Sequence, residues 1–204
     1  MKKICVLSLM FIFLTSVSLA GTINLPKTGQ TKCYDTEGVE IPCPGTGQDG
    51  DIQAGVAWPE PRFADNGDGT MIDNLTGLMW TKDANLPNSP VTWQQALDRA
   101  NSLTLADYSD WRLPNVNELE SLINTNEADS AAWLTTQGFT NVLQTEYYWS
   151  STTFAAGPGD AWIVGMRNGS MGISSKPNVY YYYVWPVRGG QCGSFDNSVN
   201  GVCT

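Results

Sequence analysis

Two tight turns held apart by one short strand constrain this chain more than any other feature. From Asp65 to Trp80 the sequence reads DNGDGTMIDNLTGLMW. Asn66-Gly67 and Asp68-Gly69 supply the positive-φ positions of a tight turn, and Asn74 to Gly77 supplies a second. Thr70 to Asp73, between them, has the length of a short strand. The region is therefore predicted to run as antiparallel strands, with Leu78 and Trp80 leading into the core. The density of Asp and Asn also raises a calcium loop. A loop of the EF type needs oxygen ligands at alternating positions and a bidentate Glu at the twelfth. Counted from Asp65, the third and fifth positions are Gly67 and Gly69, and the twelfth is Thr76. Turns are the expectation here, and neither a metal nor a cofactor is.

Two helices follow in the pattern. Thr92-Trp93-Gln94-Gln95 is a capping box, and Trp93, Ala96, Leu97 and Ala100 then fall on one apolar face. Asn115-Val116-Asn117-Glu118 opens a second helix, with Val116, Leu119 and Ile123 as its stripe. Glu118 and Glu120 are assigned to capping and to the solvated face, not to paired acid chemistry. Beyond them the pattern turns to strands. Tyr147 to Thr153 is aromatic and Thr-rich. Ala161 to Met166 leads through Asn168-Gly169 into Ser170 to Ser174, a hairpin signal. VYYYYVWPV, residues 179–187, alternates two large faces and is predicted to be a central strand. Trp93, Trp111 and Trp185 are assigned to the core.

The start of the chain has the form of an export signal. Lys2 and Lys3 precede an apolar run from Cys5 to Leu14, and Ser18-Leu19-Ala20 offers a cleavage site after Ala20. Removing 20 of 204 residues leaves 184 and takes the formal charge from −9 to −11. An acidic exported chain is a poor partner for nucleic acid or anionic membranes, and no membrane insertion is expected after cleavage. Cys33, Cys43, Cys192 and Cys203 remain. An even count in an exported chain reads as disulfides, and the spacing suggests two local pairs, Cys33–Cys43 and Cys192–Cys203. Zinc is disfavoured because there is no His and no Cys-x-x-Cys. The lack of His also removes Ser-His and Cys-His nucleophile pairs, so the chain is not expected to be an enzyme.

RFADNGDGTMIDNLTGLMWTKDA, TWQQALDRAN, DWRLPNVNELESLI, YYWSST, AWIVGM and YYVWPVRGGQ occur in this order. Together they resemble the C-terminal domain family of the Legionella collagen-like adhesin, over about Trp58 to Gln191. The helix-start and RLP blocks are also similar to those of formylglycine-generating, sulfatase-modifying enzymes. The resemblance implies an α+β, C-type-lectin-like fold: two helices packed on a small twisted antiparallel sheet with long loops. The expected organisation is a signal peptide at 1–20, a disulfide-stapled extension at 21–55, the domain at 56–191, and a disulfide-closed tail at 192–204.

The implied function is an exported, non-catalytic module that binds a glycan or protein at the bacterial surface or in the periplasm. Its ligand site is expected in the loops Phe154 to Asp160 and 167–178, with Asp160, Arg167, Asn168 and Lys176 as contacts. The alternative is a structural subunit of an envelope assembly. A sulfatase-modifying enzyme ranks below both, since the redox-active cysteines of that group are absent. The calcium motifs of sugar-binding C-type lectins, Glu-Pro-Asn and Trp-Asn-Asp, are absent as well. No Gly-x-y repeat is present to supply a collagen stalk or the trimer it would encourage; a homo-oligomer of another kind stays open.

Overall fold

The structure, a computed structural model, describes residues 25–86, 88–177 and 180–189. The expected leader at 1–20 and the expected Cys192–Cys203 pair lie outside the described residues. In chain order, a short hairpin comes first, β1 (Cys33–Tyr34) with β2 (Glu40–Ile41). The Asp35 carboxylate accepts from the backbone N–H of Glu37 and Val39 at its turn. The Cys33–Cys43 disulfide closes this hairpin, as the spacing predicts. One helical turn follows, α1 (Asp49–Ile52). The segment is tied to the rest of the chain: Pro26 bridges Val56, and the Trp58 indole donates to the Lys27 carbonyl at 2.7 Å. Thr31 donates to Asn126 through both its backbone N–H and its hydroxyl.

β3 (Phe63–Asp65), β4 (Thr70–Asp73) and β5 (Met79–Thr81) form the meander that the two turns dictate. Gly67 and Gly69 have φ of 75° and 89°, the left-handed region that admits glycine without strain. A buried ion pair lies across this meander. Arg62 donates to Asp73 through Nε at 3.4 Å and Nη2 at 3.2 Å, with side-chain exposures of 3% and 0%. The guanidinium also stacks on the Trp58 ring at 4.2 Å and donates to the Ser121 carbonyl.

α2 (Trp93–Asn101) and α3 (Val116–Ser121) both begin with the capping boxes read from sequence. Two further helices correct the expectation of two. They are α1 and α4 (Ser130–Thr136), the latter capped by the Asp129 carboxylate. Four and seven residues are too few to display a periodic apolar stripe, which is why the pattern missed them. β6 (Tyr147–Thr153), β7 (Asp160–Gly165) and β8 (Ser170–Ser175) form a three-stranded antiparallel sheet in that order. β9 (Val187–Arg188) completes a four-stranded sheet, β3-β4-β5-β9. Among the described residues the single sheet expected of the domain is thus two separate ones, of four and three strands, besides the hairpin of the extension.

The expected central strand at 179–187 is also corrected. Tyr182 exchanges backbone hydrogen bonds with Val91, while Tyr183 donates to Tyr147 and accepts from Trp149. Pro186 accepts from Thr81, and Val187 pairs with Arg112. Each residue finds a different neighbour, and Pro186 has no N–H to give, so no ladder propagates. The segment is a seam that joins the three-stranded sheet to the four-stranded one.

Successive residues of β6 and β7 serve opposite faces of their sheet. Tyr148 and Val164 enter one buried cluster with Trp80, Phe139 and Trp185. Trp149 and Ile163 enter the other, under α2, with Val91, Ala96 and Ala100. Phe139 and Trp185 meet edge to face, with centroids 5.1 Å apart. Trp111 and Trp185 are core, as assigned. Trp93 is only half-buried; its indole donates to the Ser150 carbonyl at the rim of α2.

Candidate functional site

The four contacts expected from sequence do not converge. Asp160 opens β7 and Lys176 follows β8, so both lie where β6 turns into β7. Arg167 and Asn168 lie in the turn between β7 and β8, at the other end. Five steps along a strand at ~3.3 Å each separate the two ends of β7 by roughly 17 Å. No small ligand touches all four.

The two ends also differ in what their side chains do. Lys176 Nζ donates to Thr153 Oγ1 at 2.7 Å and to the Pro158 carbonyl at 3.0 Å, and it sits 4.3 Å from the Trp93 ring centroid. These contacts fasten the loop between β6 and β7. The backbone N–H of Asp160 donates to Gly157 and its carbonyl accepts from Phe154, which closes the same loop. Arg167 is different: its side chain is 63% exposed, and its nearest acid, Asp129, is at 4.0 Å.

Around Arg167 and Asn168 the surface is concave. A cleft of about 240 Å³ is lined by Gln144, Thr145, Glu146 and Tyr147 on one side. Gly165, Arg167, Asn168 and Ser170 line the other. The antiparallel register sets Tyr147 opposite Gly165, which brings the start of β6 to the end of β7. Asn168 Oδ1 accepts from the Ser170 N–H and shapes the turn. Ser170 Oγ lies 3.4 Å from the Tyr147 hydroxyl, and the Tyr147 ring packs edge-on against Tyr182. The Ser130 N–H donates to the Arg167 carbonyl, so α4 braces the turn from behind. One wall of the cleft therefore rests on the sheet and is braced by a helix, and the other is the irregular segment 144–146 that leads into β6.

Of the residues that line the cleft, the sequence reading names Arg167 and Asn168 and leaves out Tyr147, Gly165 and the 144–146 segment. The signal was present. Pairing Tyr147 to Thr153 with Ala161 to Met166 as one antiparallel hairpin brings Tyr147 to the far end of the second strand, while the register shift between Trp149 and Thr153 makes its partner Gly165. The acidic stretch at Asp65 to Asp73 has other partners. Asp65 pairs with Lys82 at 2.6 Å, Asp68 accepts from Thr70, and Asp73 holds Arg62. Lys82 and the Gly67 N–H hold the Asp65 carboxyl below its ordinary range.

Fold and cleft together define an α+β domain that presents a polar hollow at one end of a three-stranded antiparallel sheet. The chain belongs to the Lcl C-terminal domain family, which matches it over residues 69–188. No curated protein matches it.

Proposed function

We propose that this chain is an exported, non-catalytic binding module that takes a glycan or protein ligand at the cleft beside Arg167. The observation that carries this reading is the cleft itself. Ends of two strands and a braced turn converge there, with hydrogen-bonding side chains of several kinds around one exposed guanidinium. Polar groups fixed on a rigid frame are what recognition requires. Membership of an adhesin-associated family supports surface exposure, and the pattern of helices on small sheets supports a C-type-lectin-like fold. A chain without His, in which Cys33 and Cys43 are joined, favours binding over catalysis.

Glycan-array binding by the chain from Gly21 to Thr204 tests this, with Arg167→Ala and Asn168→Ala compared to the parent. Loss of the strongest signals in both variants, with unchanged circular dichroism, is the expected result. Binding that ignores both changes would move the site away from the cleft. One observation favours a structural subunit as a second reading: Met171 and Ile173 are 43% and 45% exposed on the edge strand β8. Light scattering that finds a stable oligomer, broken by Ile173→Asp, would favour that reading instead.

A further inference from the structure

We infer that the cleft selects an uncharged, hydroxyl-rich ring, a single neutral sugar unit, and that Gly165 sets the depth to which it enters. This rests on the proposal that the cleft is the ligand site, and it adds the chemistry of the ligand. Three observations carry it.

The first is charge. Arg167 is the one cation lining the cleft, Glu146 lines the same cleft, and Asp129 stands 4.0 Å from the guanidinium. The local sum is zero or negative, inside a chain of formal charge −9. A sulfated or phosphorylated ligand needs clustered cations, because each anionic group must find its own countercharge. Lys176, the other cation expected at the site, is held at the far end of β7. An anion therefore meets one offset arginine and a repelling surface.

The second is the kind of groups present. Gln144, Thr145, Asn168 and Ser170 are neutral and both donate and accept. Tyr147 adds an apolar ring wall with a hydroxyl at its tip. Alternating hydroxyls on a ring with apolar C–H faces match that combination. A peptide carboxylate or an apolar side chain does not.

The third is size. At about 240 Å³ the cleft is smaller than the ~300–1,000 Å³ of pockets that engulf drug-sized ligands. It takes one ring and leaves the rest of a chain outside. A Cβ on Gly165 would lie 2.8 Å from Ser170 Oγ and 3.4 Å from the Tyr147 ring, both cleft-lining groups. Glycine at this position keeps those two groups apart from a third wall. Its φ lies outside the left-handed region, so alanine fits the backbone there and the change tests space, not strain.

The test is a nuclear magnetic resonance titration of the chain from Gly21 to Thr204. The probes are methyl glycosides of glucose, galactose, mannose and N-acetylglucosamine, with a heparin-derived disaccharide as the anionic probe. At least one neutral glycoside is expected to shift the amides of Tyr147, Gly165 and Ser170. Its affinity should change less than about twofold between about 50 and about 300 mM salt. Gly165→Ala should weaken it about tenfold or more. Should Gly165→Ala lose its fold by circular dichroism, Asn168→Ala, an exposed change, carries the same comparison. If the disaccharide binds instead, with salt-sensitive affinity that Gly165→Ala removes, the cleft stands as the site and the uncharged class falls. If a glycoside binds but its shifts lie elsewhere and neither variant weakens it, the cleft itself is refuted. No shift from any neutral glycoside overturns the inference as well.

Discussion

Replacing Arg62 with methionine is the sharpest test of what holds this fold together. Methionine keeps much of the apolar stem against Trp58 but removes the charge. Asp73 would then remain wholly buried. It would still accept from the Leu75 N–H and the Thr76 hydroxyl, each at 3.0 Å, with no countercharge. Breaking one side of a buried ion pair typically costs about 3–5 kcal/mol, because the surviving charge is desolvated without compensation. For a chain of 204 residues that corresponds to a fall of roughly 6–20 °C in thermal midpoint. Asp73→Asn alone should cost a similar amount by stranding the guanidinium. The double variant Arg62→Met with Asp73→Asn has no stranded charge, and its amide can keep the turn contacts. It should recover roughly 2 kcal/mol relative to the sum of the singles. Urea unfolding followed by tryptophan fluorescence measures all three. A loss under about 1 kcal/mol in Arg62→Met would refute the reasoning, since it would mean that water reaches the carboxylate.

Four shorter predictions follow from the same contacts. Trp185→Ala should cost about 3–5 kcal/mol, since the ring is fully buried between Trp80, Phe139 and Tyr148; an unchanged urea midpoint would contradict that packing. Cys33→Ser opens a short loop and should cost roughly 2–3 kcal/mol, read as a lower thermal midpoint that matches the reduced parent. The Arg188 guanidinium, by hydrogen bond and then by charge, holds the Asp110 carboxyl below its ordinary 3.8. That contribution is present above 3.8 and is lost as pH falls through the lower folded value, so Asp110→Asn should flatten the acid limb of stability against pH; an identical profile would count against it. A chain cut to the family-matched residues 69–188 lacks Arg62 and β3, and should give poorly dispersed amide spectra, whereas 25–189 should not.

What was legible in the sequence was what local chemistry decides. The turns at Gly67 and Gly77, the caps at Thr92 and Asn115, and the Cys33–Cys43 pair each depend on residues close in the chain. What was not legible was set by distant partners. Residues 179–187 read as one strand because they alternate large side chains. The backbone hydrogen bonds of Tyr182, Tyr183, Pro186 and Val187 instead go in turn to Val91, Tyr147, Thr81 and Arg112, which no local pattern reveals. The buried Arg62–Asp73 pair was hidden for a related reason: Arg next to a turn-rich stretch reads as surface until Trp58, Trp133 and the Ser121 carbonyl are seen to enclose it.

The candidate site was half legible, and the reason lies in one strand. β7 carries a loop at each end; Ala161 to Met166 reads as a strand in the sequence, but the motif reading groups the two loops without counting the length of that strand between them. The ends then received different roles. At one, Lys176 fastens the loop to Thr153, Pro158 and Trp93, so its cation is engaged in holding backbone. Lys176→Ala should therefore loosen that loop at a cost of about 1–2 kcal/mol while leaving the distant cleft intact. At the other, α4 braces the turn through the Arg167 carbonyl and leaves the guanidinium exposed above the hollow. A side chain kept exposed on a backbone that is itself held firm meets a ligand with little ordering left to do. That difference, and not the count of cations, is why the binding we propose is placed at the cleft beside Arg167.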